Sequence, residues 1–264
     1  MNAHPLVLLG GLGVRYTAWS DVKSRAGGLR PIGPIETYEL PLDAPGHRPR
    51  LTDVASALTY VLRAYETPPI LLAHSMAAFV AEATARLYPE TIAALLLADP
   101  SVPDPAATVL PDFLLRGIVT AAGTHPGAAI WQLTQLGLTA TPLETLSRTQ
   151  EMTKTRGTRR TRARLDAATW AAYGDWSREI SHMRRMVAST GTGHLTCPVR
   201  LLVCESGRHS GTWTAKQRSN LAQLRATSRA GVTATVHHLT PHLLMRAAPG
   251  LLVDEIAVTA ALAR

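Results

Sequence analysis

"ILLAHSMAAFV", residues 70–80, passes from an apolar run through His74 and Ser75 into small apolar residues. A short apolar run reads as a buried strand, and the alanine-rich stretch after it reads as a helix. Ser75 then stands at a strand-to-helix joint. Two readings fit a serine there: a small polar residue that closes a strand, or a turn that presents a nucleophile. The rest of the chain has to decide.

Working outward, short apolar runs alternate with helical patterns, which predicts a parallel α/β sheet. "PLVLLG" (5–10) reads as a buried first strand that ends in the glycine turn "GGLG" (10–13). "IETYEL" (35–40), "PPILLA" (68–73), "IAALLLAD" (92–99), "CPVRLLVC" (197–204) and "VTATVHHL" (232–239) read as five more strands. Between the second and third, Leu51, Val54, Leu58, Val61 and Leu62 put one apolar face on a helix over 51–65 that starts at Thr52 and Asp53. "PGLLVDEIAVTAALA" (249–263) reads as a closing helix with Pro249 at its first turn. From Asp104 to Thr196 the chain shows helical patterns, many Thr and Arg residues and no strand. The organisation expected is a core of 1–103 and 197–264 with a helical cap, 104–196, over the strand ends. In open α/β sheets ligands bind at that edge.

Composition narrows the function classes. Of 264 residues, 46% are hydrophobic and 17% charged, a globular balance large enough for a substantial core. No apolar run reaches the roughly 20 residues of a membrane helix, and the start of the chain lacks the basic segment of a signal peptide. The two cysteines, Cys197 and Cys204, flank one strand. An extended strand separates them by about 23 Å, too far for a disulfide, which points to a reducing, cytoplasmic setting or at least to a fold that needs no bridge. The net charge of +8 gathers in "KTRGTRRTRAR" (154–164), yet no nucleic-acid motif accompanies it. No metal spacing, phosphate loop or dinucleotide glycine pattern is present, so no cofactor or metal is expected.

"AHSMA" (73–77) fits the frame of the nucleophile elbow, G-x-S-x-G, with Ala73 and Ala77 in the glycine places. With its surroundings, the sequence resembles the α/β-hydrolase family. "LLGGLG" (8–13) stands where that family carries its oxyanion turn, with Gly10 in place of the family histidine. "DAPGH" (43–47) is similar to its D-x-P-G-H-G turn, and residues 68–101 keep its strand, elbow, helix and strand in register. "PHLLMRAAPGLLVDEIA" (241–257) is similar to the segment that carries its histidine, with Arg246 where the family has glutamate. The resemblance covers 5–101 and 197–262. It implies an α/β-hydrolase fold, a parallel sheet of about six strands with helices on both faces and an inserted cap.

For the site, the resemblance implies Ser75 as nucleophile and His242 as base. It implies the backbone N–H groups of Leu12 and Met76 as the oxyanion hole, with Gly11 and Leu12 against the substrate. His74 and His47 take no catalytic part in this reading, and His237 and His238 are packing or surface residues of the preceding strand. The acid is displaced. In "CESGRHSG" (204–211), Gly207 falls where the family places its aspartate. Glu205 is the nearest carboxylate there. "LLLADPSVPDP" (95–105) offers Asp99 at the end of the fourth strand, the expected acid, and Asp104 beyond it. A Ser–His dyad is the remaining alternative.

The function implied is a cofactor-independent serine enzyme that forms an acyl-enzyme from an ester or thioester, hydrolysing a small or medium hydrophobic acyl ester. One alternative is a thioesterase or acyltransferase whose basic cap meets an acidic acyl carrier protein. The other is a degenerate, non-hydrolytic member of the fold. A small-molecule substrate is expected, with neither nucleic acid nor membrane as partner.

Overall fold

A computed structural model describes residues 3–11, 14, 16–40, 49–106, 159–205, 210–238 and 242–263, with side chains from 172 and from 213 in the two helices that open the later segments. Leu12, the "DAPGH" turn with His47, residues 107–158, Gly207 and the side chains of the basic run 154–164 lie outside the described residues.

Six strands form one sheet: β1 (His4–Leu9), β2 (Ile32–Tyr38), β3 (Ile70–His74), β4 (Ala94–Ala98), β5 (Val199–Glu205) and β6 (Val232–His238). Their order is β2-β1-β3-β4-β5-β6, and every pair is parallel. Parallel strands need both faces covered, which is why these strands read as nearly continuous apolar runs. The period-2 alternation of a strand then divides them between two cores. Val7, Leu9, Leu71, Ala73, Leu95 and Leu97 face one side, against α2 (Leu51–Leu62), α3 (Ala77–Leu87), α4 (Arg159–Thr190) and α5 (Ser210–Ala226). Leu6, Leu8, Ile70, Leu72, Leu96 and Leu202 face the other, against α1 (Ser20–Ala26), α6 (Leu244–Ala247) and α7 (Pro249–Leu262).

Some elements depart from the sequence reading. β2 begins at Ile32 rather than at 35. It is an edge strand, so Pro34, which lacks an N–H, is tolerated there, and the β1–β2 register shifts beside it. The helices α1, α5 and α6 were not expected. α5 buries Thr214, Gln217 and Asn220 beside Trp213 and Leu224, so its inward face carries no apolar periodicity to read.

The described half of α4 belongs to the same layer as α2 and α3. Ala172, Trp176, Ile180 and Val187 are buried, and Trp176 Nε1 donates to the Pro49 carbonyl at 2.8 Å, just ahead of α2. A buried ionic cluster locks this helix down. Glu82 on α3 accepts from Arg86 on its own helix and from Arg184 on α4, each at 2.6 Å. Arg86 continues to Thr227 after α5, and Arg184 to Asn220 on α5 at 2.8 Å. Burial alone raises the Glu82 carboxyl, but the Arg184 and Arg86 guanidiniums outweigh it and hold the group down to about 2, from its ordinary 4.5.

Removing one member of such a cluster leaves the others charged and buried, which costs about 3–5 kcal/mol. Glu82→Gln should therefore lower the urea-unfolding free energy by an amount of that order. Because the folded carboxyl is depressed, its contribution is complete above about pH 4.5 and is lost as the pH falls through about 2. The gap between wild type and Glu82→Gln in acid titrations should narrow over that window.

Candidate active site

β1 lies between β2 and β3, so the chain reverses its direction of travel across the sheet between β1 and β3. That switch point opens a crevice at the carboxyl ends of both strands. Two features meet there: the glycine turn after β1 and Ser75 after β3.

Ser75 has φ of 56°, in the left-handed region that L-residues avoid. Three backbone hydrogen bonds hold it. Its N–H donates to the Ala98 carbonyl at 3.2 Å, and its carbonyl accepts from Ala78 and Ser101, each at 3.1 Å. The sharp reversal leaves no room two positions either side, and Ala73 and Ala77 are both fully buried. From the β1 side, Gly11 presses against the same turn. A Cβ built on Gly11 would lie 2.7 Å from Ser75 Cβ and 2.8 Å from the His74 carbonyl oxygen. One on Gly10 would lie 2.4 Å from the Val14 carbonyl oxygen, so the turn there closes too tightly for any side chain without a backbone shift. Met76, 2% exposed, stands directly before α3, where a helix leaves its first N–H groups without internal acceptors. The other expected oxyanion donor, Leu12, lies outside the described residues.

Asp99 follows β4 as Ser75 follows β3. His74 pairs with Ala98 as the last register partner, so Ser75 and Asp99 leave adjacent strands at the same edge. Asp99 is also left-handed, with φ of 42°, a conformation that aspartate tolerates better than most residues. Its carboxylate is wholly buried. Oδ2 accepts from His242 Nδ1 at 2.5 Å, and Oδ1 accepts from Trp213 Nε1 at 2.9 Å and from the Cys204 backbone N–H at 3.2 Å.

His74 adds further contacts that hold His242. The His242 carbonyl oxygen accepts from His74 Nε2 at 2.8 Å, and the two imidazole rings lie 4.5 Å apart. The residue directly before Ser75 thus carries the loop that holds His242. A neutral His242 that donates a hydrogen bond from Nδ1–H to Asp99 has its lone pair at Nε2. The structure therefore joins His74, Asp99 and His242 by hydrogen bonds and packs Gly11 against Ser75, the residue after His74, while among the described residues no hydrogen bond joins Ser75 Oγ to His242.

Glu205 is elsewhere. It accepts from Thr214 Oγ1 at 2.7 Å and pairs with His238, which is largely exposed. The Thr214 hydroxyl chiefly, and His238 after it, hold its carboxyl below the usual range. Asp104 has turned away too: its backbone N–H donates to Ser177 Oγ at 2.7 Å, and its side chain accepts from the Ala106 N–H. His237 faces Glu255 on α7 at 3.5 Å. Cys197 and Cys204 are both free and buried, and burial pushes the Cys197 thiol up to about 12, so it is inert as a nucleophile at neutral pH. Among the described residues no cluster of His, Cys, Asp and Glu is arranged to hold a metal ion, and no helix is long and apolar enough to cross a membrane.

Trp213 is the site residue that sequence reasoning missed. It sits in the first turn of a helix that was not expected. Its only sequence signal is a tryptophan shortly after the fifth strand, too common a feature to mean anything alone.

Solved structures share this architecture at low identity. The protein Cfl2 of Burkholderia cenocepacia is 21% identical, over 96% of this chain and 87% of that one, with a TM-score of 0.61. MenH from S. aureus is 12% identical, over 99% and 94%, with a TM-score of 0.64. A thermophilic esterase from Thermogutta terrifontis is 18% identical, over 97% and 88%, with a TM-score of 0.55. No curated protein matches the sequence. The family model described as "Alpha/beta hydrolase family" matches residues 6–255, nearly the whole chain. With the six-stranded parallel sheet, the left-handed serine after β3 and the histidine loop after β6, the chain belongs to the α/β-hydrolase family.

Proposed function

We propose that this α/β hydrolase is a cofactor-independent serine enzyme that forms an acyl-enzyme at Ser75 and hydrolyses esters of small or medium hydrophobic acyl groups. The observation that carries the reading is the 2.5 Å contact between His242 Nδ1 and the buried Asp99 carboxylate, at the strand ends beside a left-handed serine.

A serine hydroxyl is a weak nucleophile at neutral pH and needs a base to take its proton. In this reading His242 Nε2 takes the proton from Ser75 Oγ as that oxygen bonds to the acyl carbon. Asp99 keeps the other ring nitrogen protonated and stabilises the imidazolium that forms. The negative charge moves to the carbonyl oxygen, toward the N–H of Met76 and, by family resemblance, that of Leu12. The carbon–oxygen or carbon–sulfur bond to the leaving group then breaks, and His242 returns the proton to it. Water repeats the sequence in reverse to release the acid and restore Ser75. Gly11 serves by being absent as a side chain, which lets the donor turn close onto Ser75.

Asp99 suits the acid's role better than Glu205 for a geometric reason. Asp99 already spends an oxygen on His242, whereas Glu205 spends its oxygens on Thr214 and His238.

Ser75→Ala should abolish labelling by a fluorophosphonate probe while leaving the thermal unfolding curve nearly in place. Unchanged labelling, or none in the wild type, would turn the reading toward a fold member without an activated serine. Asp99→Asn should lower ester turnover on the order of 10³- to 10⁴-fold by favouring the wrong imidazole tautomer, and Glu205→Gln should leave it within about threefold. The opposite ranking would move the acid to Glu205. Gly11→Ala forces a methyl group against Ser75 and the His74 carbonyl. It should cut kcat by two orders of magnitude or so, about the loss of one oxyanion donor.

A further inference from the structure

Asp99 has two oxygens and His242 uses one of them. The other accepts from Trp213 Nε1 at 2.9 Å and from the Cys204 N–H at 3.2 Å. The backbone donor comes with the sheet, because Asp99 N–H itself pairs with Leu202 in β5. The indole donor is a separate provision. Trp213 lies in the first turn of α5 and is 8% exposed. One turn further along the same helix face, Gln217 Nε2 donates to the Pro100 carbonyl at 2.6 Å, directly after Asp99. Residues four apart on α5 thus grip the side chain of Asp99 and the backbone that follows it.

We propose that Trp213 is a positioning residue for the reaction, fixing the Asp99 carboxylate by its indole N–H and setting how much negative charge that carboxylate presents to His242. The inference rests on the assignment of Asp99 and His242 to the serine mechanism. A charge-assisted hydrogen bond draws electron density toward Oδ1 and holds the carboxylate plane, so that Oδ2 meets His242 Nδ1 in one orientation. Tryptophan suits the place because its donor is fixed on a rigid ring and it has no acceptor to compete for the His242 proton. A serine or threonine hydroxyl would rotate and would offer lone pairs.

The sign of the effect follows. Without the indole N–H, more charge remains on Oδ2, and the protonated imidazole is held more tightly. The base is then free only at higher pH. Ring 15N shifts of His242, read across pH, report its tautomer and charge without any substrate. They should be compared in the wild type, in Trp213→Phe, and in a variant with benzothienylalanine at 213, whose ring has nearly the shape of indole but carries sulfur in place of N–H. With the sulfur isostere the His242 titration should move to higher pH by about half a unit to one unit. The rate of fluorophosphonate labelling below neutral pH should fall about 3- to 10-fold, with recovery at higher pH.

If the isostere titrates like the wild type, the indole N–H has no such role and the proposal fails. If only Trp213→Phe is impaired, the tryptophan contributes packing alone and the proposal fails equally. Failure of the acyl-enzyme reading is separate: it shows as labelling that survives Ser75→Ala or is absent in the wild type. The 15N titration still reports on Trp213 in either case.

Discussion

A carboxylate buried at the end of a central strand constrains everything around it. Asp99 has no contact with solvent, and an unpaired charge in that position would be prohibitively unfavourable. Its stability depends on donors, and among the described residues these come from different parts of the chain: the backbone of β5, the first turn of α5 and the loop after β6. Three segments remote in sequence are therefore held together by one side chain. The same requirement fixes the orientation of His242, since its Nδ1 must face the charge.

The second constraint is steric. Ser75 reaches the strand edge by a backbone conformation that alanines at 73 and 77 permit and that three hydrogen bonds hold. The glycine turn after β1 then packs onto the serine from the side. The family histidine missing at position 10 has a local explanation here, because a Cβ at that position meets the Val14 carbonyl oxygen. Alanine in place of glycine beside the serine is likewise compatible, since both methyl groups are accommodated in the core. These departures weaken the motif as a string of letters without spoiling the geometry.

A third element supports the first two from behind. The Glu82, Arg86 and Arg184 cluster ties α3 to α4, and Arg184 passes to Asn220, Asn220 to Gln217, and Gln217 to the Pro100 carbonyl. Every member of this chain is buried. Half-satisfied buried polar groups are costly, so such a series tends to hold a single arrangement. It runs from the middle and last turn of α3, the helix that Ser75 leads into, back to the residue after Asp99. One continuous polar seam between the sheet and its helices thus links α3 and α4 to the backbone that follows Asp99.

The sheet was legible because a parallel strand buried on both faces must be apolar at nearly every position, and six such runs stand out along the chain. The elbow frame was legible because a strained turn admits only small neighbours. Asp99 was readable as a carboxylate closing a strand, and His242 as a histidine in a family-like segment. What sequence alone did not decide was their meeting. Asp99 and Glu205 both end strands, and strand ends say nothing of which carboxylate turns inward. Packing settles that: β4 is central and its end is covered by α5, while Glu205 sits where Thr214 and an exposed His238 claim it. Trp213 and the polar face of α5 were invisible for the converse reason. Burial there is achieved through hydrogen bonds between distant residues, and only hydrophobic burial leaves a periodic trace in a sequence.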